Sequence, residues 1–250
     1  VKLTVVGCAP AYTLRPDQSS SCYLVEHEGR ALLLDMGQGA FSELARHRAP
    51  ETVDGVLISH LHADHLVDLI PLRHFVKYES ETPGRTSVRG PRELRARVDS
   101  FQGQKGFLDA LPGDPLKPGT FELAGFTVEA RHVTHIEDSF AFRVSVPGDS
   151  GPGLVYSGDC AKADDLLPLM RPGDTLLCEA AFGAGPSGGG GHITAQDAAR
   201  VAAEGRATRL ILTHILDRHD GEDARRAAAE RYAGDVRVAQ PQLVVRVGEG

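Results

Sequence analysis

The feature that most narrows what this chain can fold into is a junction. The apolar run at residues 55–59 reads as a buried strand and passes directly into His60-Leu61-His62-Ala63-Asp64-His65. Strand side chains alternate with period two, so His60 and His62 leave the strand end on the same side, and Asp64 and His65 lie on the following turn. Four ligand-type side chains can then converge on one point. Neutral imidazoles and a carboxylate suit zinc or another borderline divalent ion, a conclusion that no lone histidine would carry.

Around this junction the chain alternates strand-like and helix-like segments. Residues 2–6, 22–26 and 31–34 predict an antiparallel meander. Helices are expected over 40–47, over 66–72 with a kink at Pro71, and over 91–98, with polar turns at 79–91 and a loop at 103–119. Strands follow at 126–132, 140–146 and 154–157. The C-terminal third then reads as strand 175–178, helix 195–203 capped by Thr194 and Asp197, strand 209–213, helix 222–232, and strands 236–238 and 243–247. β-rich stretches with helices in both halves predict an α/β protein, two sheets stacked face to face under helical layers, in one domain over residues 1–250.

Composition excludes other classes. With 27 basic against 34 acidic residues the net charge is −7, which disfavours a sequence-independent polyanion binder while leaving a small phosphorylated substrate open. Arg89, Arg92, Arg95 and Arg97 are the one basic cluster, read as a solvated helix face or a groove. No apolar run nears the roughly 20 residues that span a bilayer, so the expectation is a soluble, cytoplasmic protein without a membrane partner. Cys8, Cys22, Cys160 and Cys178 form no CxxC pair and are expected as buried thiols.

The His60 to His65 motif resembles the His-x-His-x-Asp-His signature of the metallo-β-lactamase superfamily, and the likeness extends along nearly the whole chain. Asp35-Met36-Gly37 is similar to the family's Asp-x-Gly turn. His135 precedes the 139–146 strand, Ser157-Gly158-Asp159 ends another, and Thr213-His214 ends a third. The resemblance implies a four-layer αβ/βα sandwich and two divalent metal ions, zinc first, with manganese or iron as alternatives. It places one ion on His60, His62 and His135 and a second on Asp64, His65 and His214, with Asp159 and a hydroxide bridging them. Of the two histidines in the third loop, His135 is favoured over His132 because Phe140-Ala141-Phe142-Arg143 matches the family strand in register. Asp35 is either a carboxylate that orients a ligand imidazole or a turn residue capping its own backbone.

Within the superfamily, Glu179 and His192 resemble the paired motifs of the ribonuclease Z-like phosphodiesterase branch, in which the histidine assists the phosphate or leaving oxygen and the glutamate supports it. Cys178 departs from that pattern, which commonly has histidine there. The span from Arg143 to Asp159 leaves no room for the arm with which ribonuclease Z grips transfer RNA. The glycine-rich stretch 183–191 reads as a lid or a surface linker. The resulting expectation is a metal-dependent hydrolase with Asp64, His192 and Glu179 in catalytic roles. Its substrate would be a small or nucleotide-like phosphodiester, for example a cyclic nucleotide, and a homodimer is open. The alternatives are ribonuclease Z-like processing of transfer RNA, thioester or lactone hydrolysis, and, from another class, a di-iron redox protein.

Overall fold

Period-two alternation of buried residues sets the layers. In the strand Cys22–His27, Tyr23 and Val25 face one core while Cys22 and Leu24 face another; in Arg30–Leu34, Leu32 and Leu34 divide from Ala31 and Leu33 in the same way. Strands apolar on both faces need cover on both faces, and a second sheet and a helical layer supply it. The computed structural model describes residues 1–82, 84–186 and 190–249.

The first sheet contains β1 (Lys2–Gly7), β2 (Cys22–His27), β3 (Arg30–Leu34), β4 (Gly55–Leu57), β5 (Ser87–Arg89) and β13 (Val244–Arg246), in the order β13-β1-β2-β3-β4-β5. The second contains β6 (Gly119–Leu123), β7 (Phe126–His132), β8 (Phe140–Ser145), β9 (Leu154–Tyr156), β10 (Thr175–Glu179), β11 (Arg209–Thr213) and β12 (Asp235–Val238), in the order β12-β11-β10-β9-β8-β7-β6. Between the sheets lies a core built from both, including Tyr23, Leu34 and Leu57 on one side and Phe126, Phe142, Leu177 and Ile211 on the other. Helices α1 (Ala40–His47), α3 (Leu69–Tyr78) and α4 (Leu94–Gln102) cover the outer face of the first sheet. Helices α5 (Ala195–Glu204) and α6 (Gly221–Ala229) cover that of the second, and α2 (Ala63–Leu66) is a single turn beside the histidine motif. This is the four-layer αβ/βα sandwich.

Two parallel blocks matter for the site. Strands β3, β4 and β5 run parallel in one sheet, and β9 to β12 run parallel in the other. Ligand sites in such sheets form outside the carboxyl ends of the strands. The two sheets are joined beside these carboxyl ends, where the N–H of Phe140, at the start of β8, donates to the carbonyl of Ser59, just past β4.

Several local expectations change. Pro71 does not kink a helix: the segment splits into α2 and α3, and Pro71 falls in the first turn of α3, where a missing N–H costs no helical bond. The turn-rich stretch 79–91 contains β5, and β6 opens at the end of the expected loop. That loop also holds a 3-10 turn, Phe107–Ala110, and another covers Ala163–Leu169. Among the described residues no helix is long and apolar enough to cross a membrane. All four cysteines are free and buried, and burial pushes the Cys8 and Cys160 thiols up to about 12.

Candidate metal centre

The strand β4 delivers His60 and His62 past its carboxyl end, and the turn of α2 presents Asp64 and His65. The packing of this motif explains the Asp35-Met36-Gly37 turn. The Met36 N–H donates to the His65 carbonyl, and a Cβ on Gly37 would sit 2.0 Å from the Asp64 carbonyl oxygen, so only glycine permits the approach. Asp159 follows β9 through Gly158, whose φ of 56° is left-handed and whose Cβ would lie 2.7 Å from the Phe140 carbonyl oxygen. His214 follows β11, also left-handed at φ 57°.

These segments bring all seven expected metal-site residues together. His62 Nδ1 lies 3.0 Å from His60 Nε2 and 3.1 Å from His135 Nε2, and Asp159 Oδ2 is 3.6 and 3.8 Å from the latter two. On the other side His214 Nε2 lies 3.1 Å from Asp64 Oδ2 and 3.6 Å from Asp159 Oδ2, while His65 Nε2 is 3.4 Å from Asp159 Oδ1 and 3.6 Å from Asp64 Oδ2. Asp159 therefore faces both groups with its two oxygens. His132 stays outside, its ring stacked on Phe140 with centroids 4.4 Å apart, and the Cys160 thiol turns to the Lys162 carbonyl.

Hydrogen bonds assign the imidazole protons, and the assignment tests whether cations fit. His135 Nδ1 donates to the Gly191 carbonyl at 2.7 Å, and His65 Nδ1 donates to Asp35 Oδ2 at 2.7 Å. Ser59 Oγ gives its proton to Asp35 Oδ2, so it accepts from His60 Nδ1. With the Nδ1 protons so placed, Nε2 of His60, His65 and His135 carries a lone pair toward the cluster. Buried His65 Nε2 and Asp159 Oδ1 have no hydrogen-bond partner among the described residues. Converging lone pairs and carboxylates repel unless positive charge lies between them, so the donor set fits divalent cations. Burial raises the Asp159 carboxyl, but His214, His65 and His60 outweigh it and hold the group well below the usual range. Burial likewise lowers His65, but Asp159 and Asp35 outweigh it and hold the imidazole well above its ordinary value, so a cation that takes the Nε2 lone pair must displace a proton from it.

Asp35 is fully buried and left-handed at φ 59°. Its carboxylate accepts from the Ser59 N–H at 2.6 Å, the Ser59 hydroxyl at 2.7 Å, the Tyr156 hydroxyl at 2.6 Å and His65. Of the two roles open to it from sequence, the geometry is that of an orienting carboxylate. Ser59 and Tyr156 were not identifiable beforehand, because both sit in strands that read as ordinary core.

Glu179, at the end of β10, accepts from His192 Nδ1 at 2.9 Å and from the Cys160 N–H at 2.8 Å with one oxygen, and from the Ala181 N–H at 3.1 Å with the other. His192 stands beside the cluster, its ring stacked on that of His214 with centroids 5.5 Å apart and its Nδ1 3.9 Å from Asp159 Oδ2. Burial lowers the His192 imidazole, but the Glu179 hydrogen bond and charge outweigh it and raise its pKa. It is placed by the start of α5, where Thr194 and Asp197 form a reciprocal cap. Of the 183–191 stretch, residues 187–189 lie outside the described residues.

A family profile described as the beta-lactamase superfamily domain matches residues 30–215, and the chain belongs to that family. An uncharacterised protein of Mycobacterium tuberculosis is 33% identical over 247 residues, covering 94% of this chain and 88% of its own. The probable metallo-hydrolase YhfI of Bacillus subtilis is 29% identical, covering 98% and 99%. Its crystal structure superposes with a TM-score of 0.86 at 27% identity, covering 98% of this chain and 99% of that one. A ribonuclease Z of Halobacterium salinarum is 27% identical, covering 97% and 96%. The chain is thus a metallo-hydrolase-type member of the superfamily, in its ribonuclease Z-like branch.

Proposed function

We propose that this protein is a dinuclear metal-dependent phosphodiesterase, acting as one hydrolase domain over residues 1–250 on a small or nucleotide-like phosphodiester. The observation that carries the reading is His192 held by Glu179 beside the seven-residue cluster. His60, His62 and His135 would hold one divalent ion, and Asp64, His65 and His214 a second, with Asp159 shared. When bound, such a pair supplies a nucleophile from water at neutral pH and offsets phosphoryl charge. Zinc leads among the candidates for an imidazole-rich set, with manganese and iron behind it.

The protein's own groups perform the rest. Asp35 fixes the ring of His65, and the Gly191 carbonyl fixes that of His135. Glu179 holds His192 Nδ1–H, leaving Nε2 as the nitrogen that can give a proton to the leaving oxygen or stabilise phosphoryl charge. Glu179 keeps that proton available by favouring the imidazolium.

A second reading, ribonuclease Z-like cleavage of precursor transfer RNA, is supported by the similarity to the Halobacterium salinarum ribonuclease Z. Against it stands the β8–β9 connection, a short turn through residues 146–153 with no projecting arm. The test joins elemental analysis to a turnover screen on bis-p-nitrophenyl phosphate, a cyclic nucleotide, a precursor transfer RNA and a thioester. Two metals per chain with turnover of the small diesters support the proposal, and it is lost if thioester turnover alone appears. His62→Ala and Asp159→Ala should each abolish metal retention and turnover together.

A further inference from the structure

An open cavity of about 1440 Å³ runs from His62, at the metal centre, to the edge where β5 of one sheet meets β6 of the other. Arg89 lines it. This residue ends β5, in register with Leu57 of β4, so it stands at the same carboxyl end of the parallel block that launches His60. Its guanidinium lies over the Phe121 ring, 4.7 Å from the centroid. Among the described residues its buried Nε has no acceptor and Arg89 makes no ion pair. Arg95, in α4, behaves in the opposite way: it is spent on the carbonyls of Leu108, Leu111 and Gly113. Arg92, Arg97 and Lys117 line the same cavity and also lack ion-pair partners among the described residues.

A buried guanidinium N–H without an acceptor is costly, and a stacked, planar fork is preorganised for a bidentate oxyanion. The carboxylates of Glu93, Asp114, Glu137 and Asp138 line the cavity as well, so its formal charges balance and no general attraction for polyanions arises. Specificity falls instead on the one fixed fork. Resting on the phosphodiester reading above, we infer that Arg89 is the anchor of a second-anion subsite, and that the substrate carries a further phosphate beyond the scissile diester. A mononucleotide with another terminal phosphate and a short oligonucleotide share that chemistry. A cyclic nucleotide, with its single phosphate, does not.

Calorimetric titration of thymidine 3′,5′-bisphosphate and thymidine 5′-monophosphate into the metal-loaded protein reads this without turnover. The bisphosphate should bind about 10-fold to 100-fold more tightly, the range expected for a charge-assisted contact. Arg89→Gln should remove that advantage. Arg89→Lys, which keeps the charge and the aliphatic stem against Phe121, guards against a folding defect and should lose most of it, because the fork is gone. Arg200→Gln, altering a surface residue paired with Asp164 and Glu204, should retain it. Equal affinities in the unaltered protein, or an undiminished advantage in Arg89→Lys, would overturn the inference. A 5′-phosphorylated dinucleotide sorts the source: tighter binding than the bisphosphate identifies an oligonucleotide, weaker binding a mononucleotide. Equal affinities in the unaltered protein with small-diester turnover intact sink the subsite alone, and an advantage there without any turnover sinks the phosphodiesterase reading alone.

Discussion

Asp35 gathers more of the site than any ligand does, because four donors end on its two oxygens. Asp35→Asn keeps its size but replaces one acceptor with a donor that faces other donors. Metal affinity should fall about 10-fold to 100-fold through misorientation of His65, as competition with a chromogenic chelator would show. Tyr156→Phe removes one of the four bonds and should fall less. His192→Ala acts elsewhere: metal content should stay at the unaltered level while kcat drops by about 10² to 10⁴, the usual worth of a positioned acid. The candidate ligand types were legible in the chain because most of them follow strands in a fixed order, and the Glu179–His192 pair because it resembles the family's paired motifs. Ser59 and Tyr156 were not, since what a strand hydroxyl bonds to depends on which strand end arrives opposite it.

Among the elements, α5 shows how local sequence serves the site. Thr194 Oγ1 accepts from the Asp197 N–H at 3.2 Å and Asp197 accepts from the Thr194 N–H at 3.1 Å, a cap visible in the sequence as Thr followed three residues on by Asp. Thr194→Ala should cost about 1 kcal/mol in urea unfolding with an unchanged m-value. It should also loosen His192, two residues upstream, and so lower kcat with little change in metal content. Long strands with alternating apolar faces were legible, and so were α1, α5 and α6, whereas the expected helix over 66–72 is two helices, α2 and α3, and that over 91–98 lies at Leu94–Gln102. The strands β5 and β6 escaped notice because they are short edge strands in polar surroundings, where alternation is too brief to register and pairing comes from the neighbouring strand. The placement of Pro71 was misjudged for a related reason: a proline alone does not say whether a helix starts beside it or breaks there.

At the scale of the whole molecule, the candidate ligands come from both sheets, so bound cations would tie the two to each other. The more weakly held cation of the proposed pair, supplied at a hundred times its Kd, by itself adds about 2.7 kcal/mol to stability. For a chain of this size that corresponds to roughly 5–10 °C in Tm, so chelation should lower the melting temperature by about that much in calorimetry, and by much less in Asp159→Asn. Net charge disfavours the gripping of long polyanions, but it could not reveal the Arg89 guanidinium, because a sum over the surface says nothing about one cavity edge. The separation between His60 and His214 also bears on biosynthesis. A nascent chain that has not yet delivered β11 presents its histidine motif as an open chelator, able to touch any passing ion and to hold none selectively. Only closure of the second sheet would complete the proposed cage, so the choice of metal would belong to the finished protein and not to its first encounter at the ribosome.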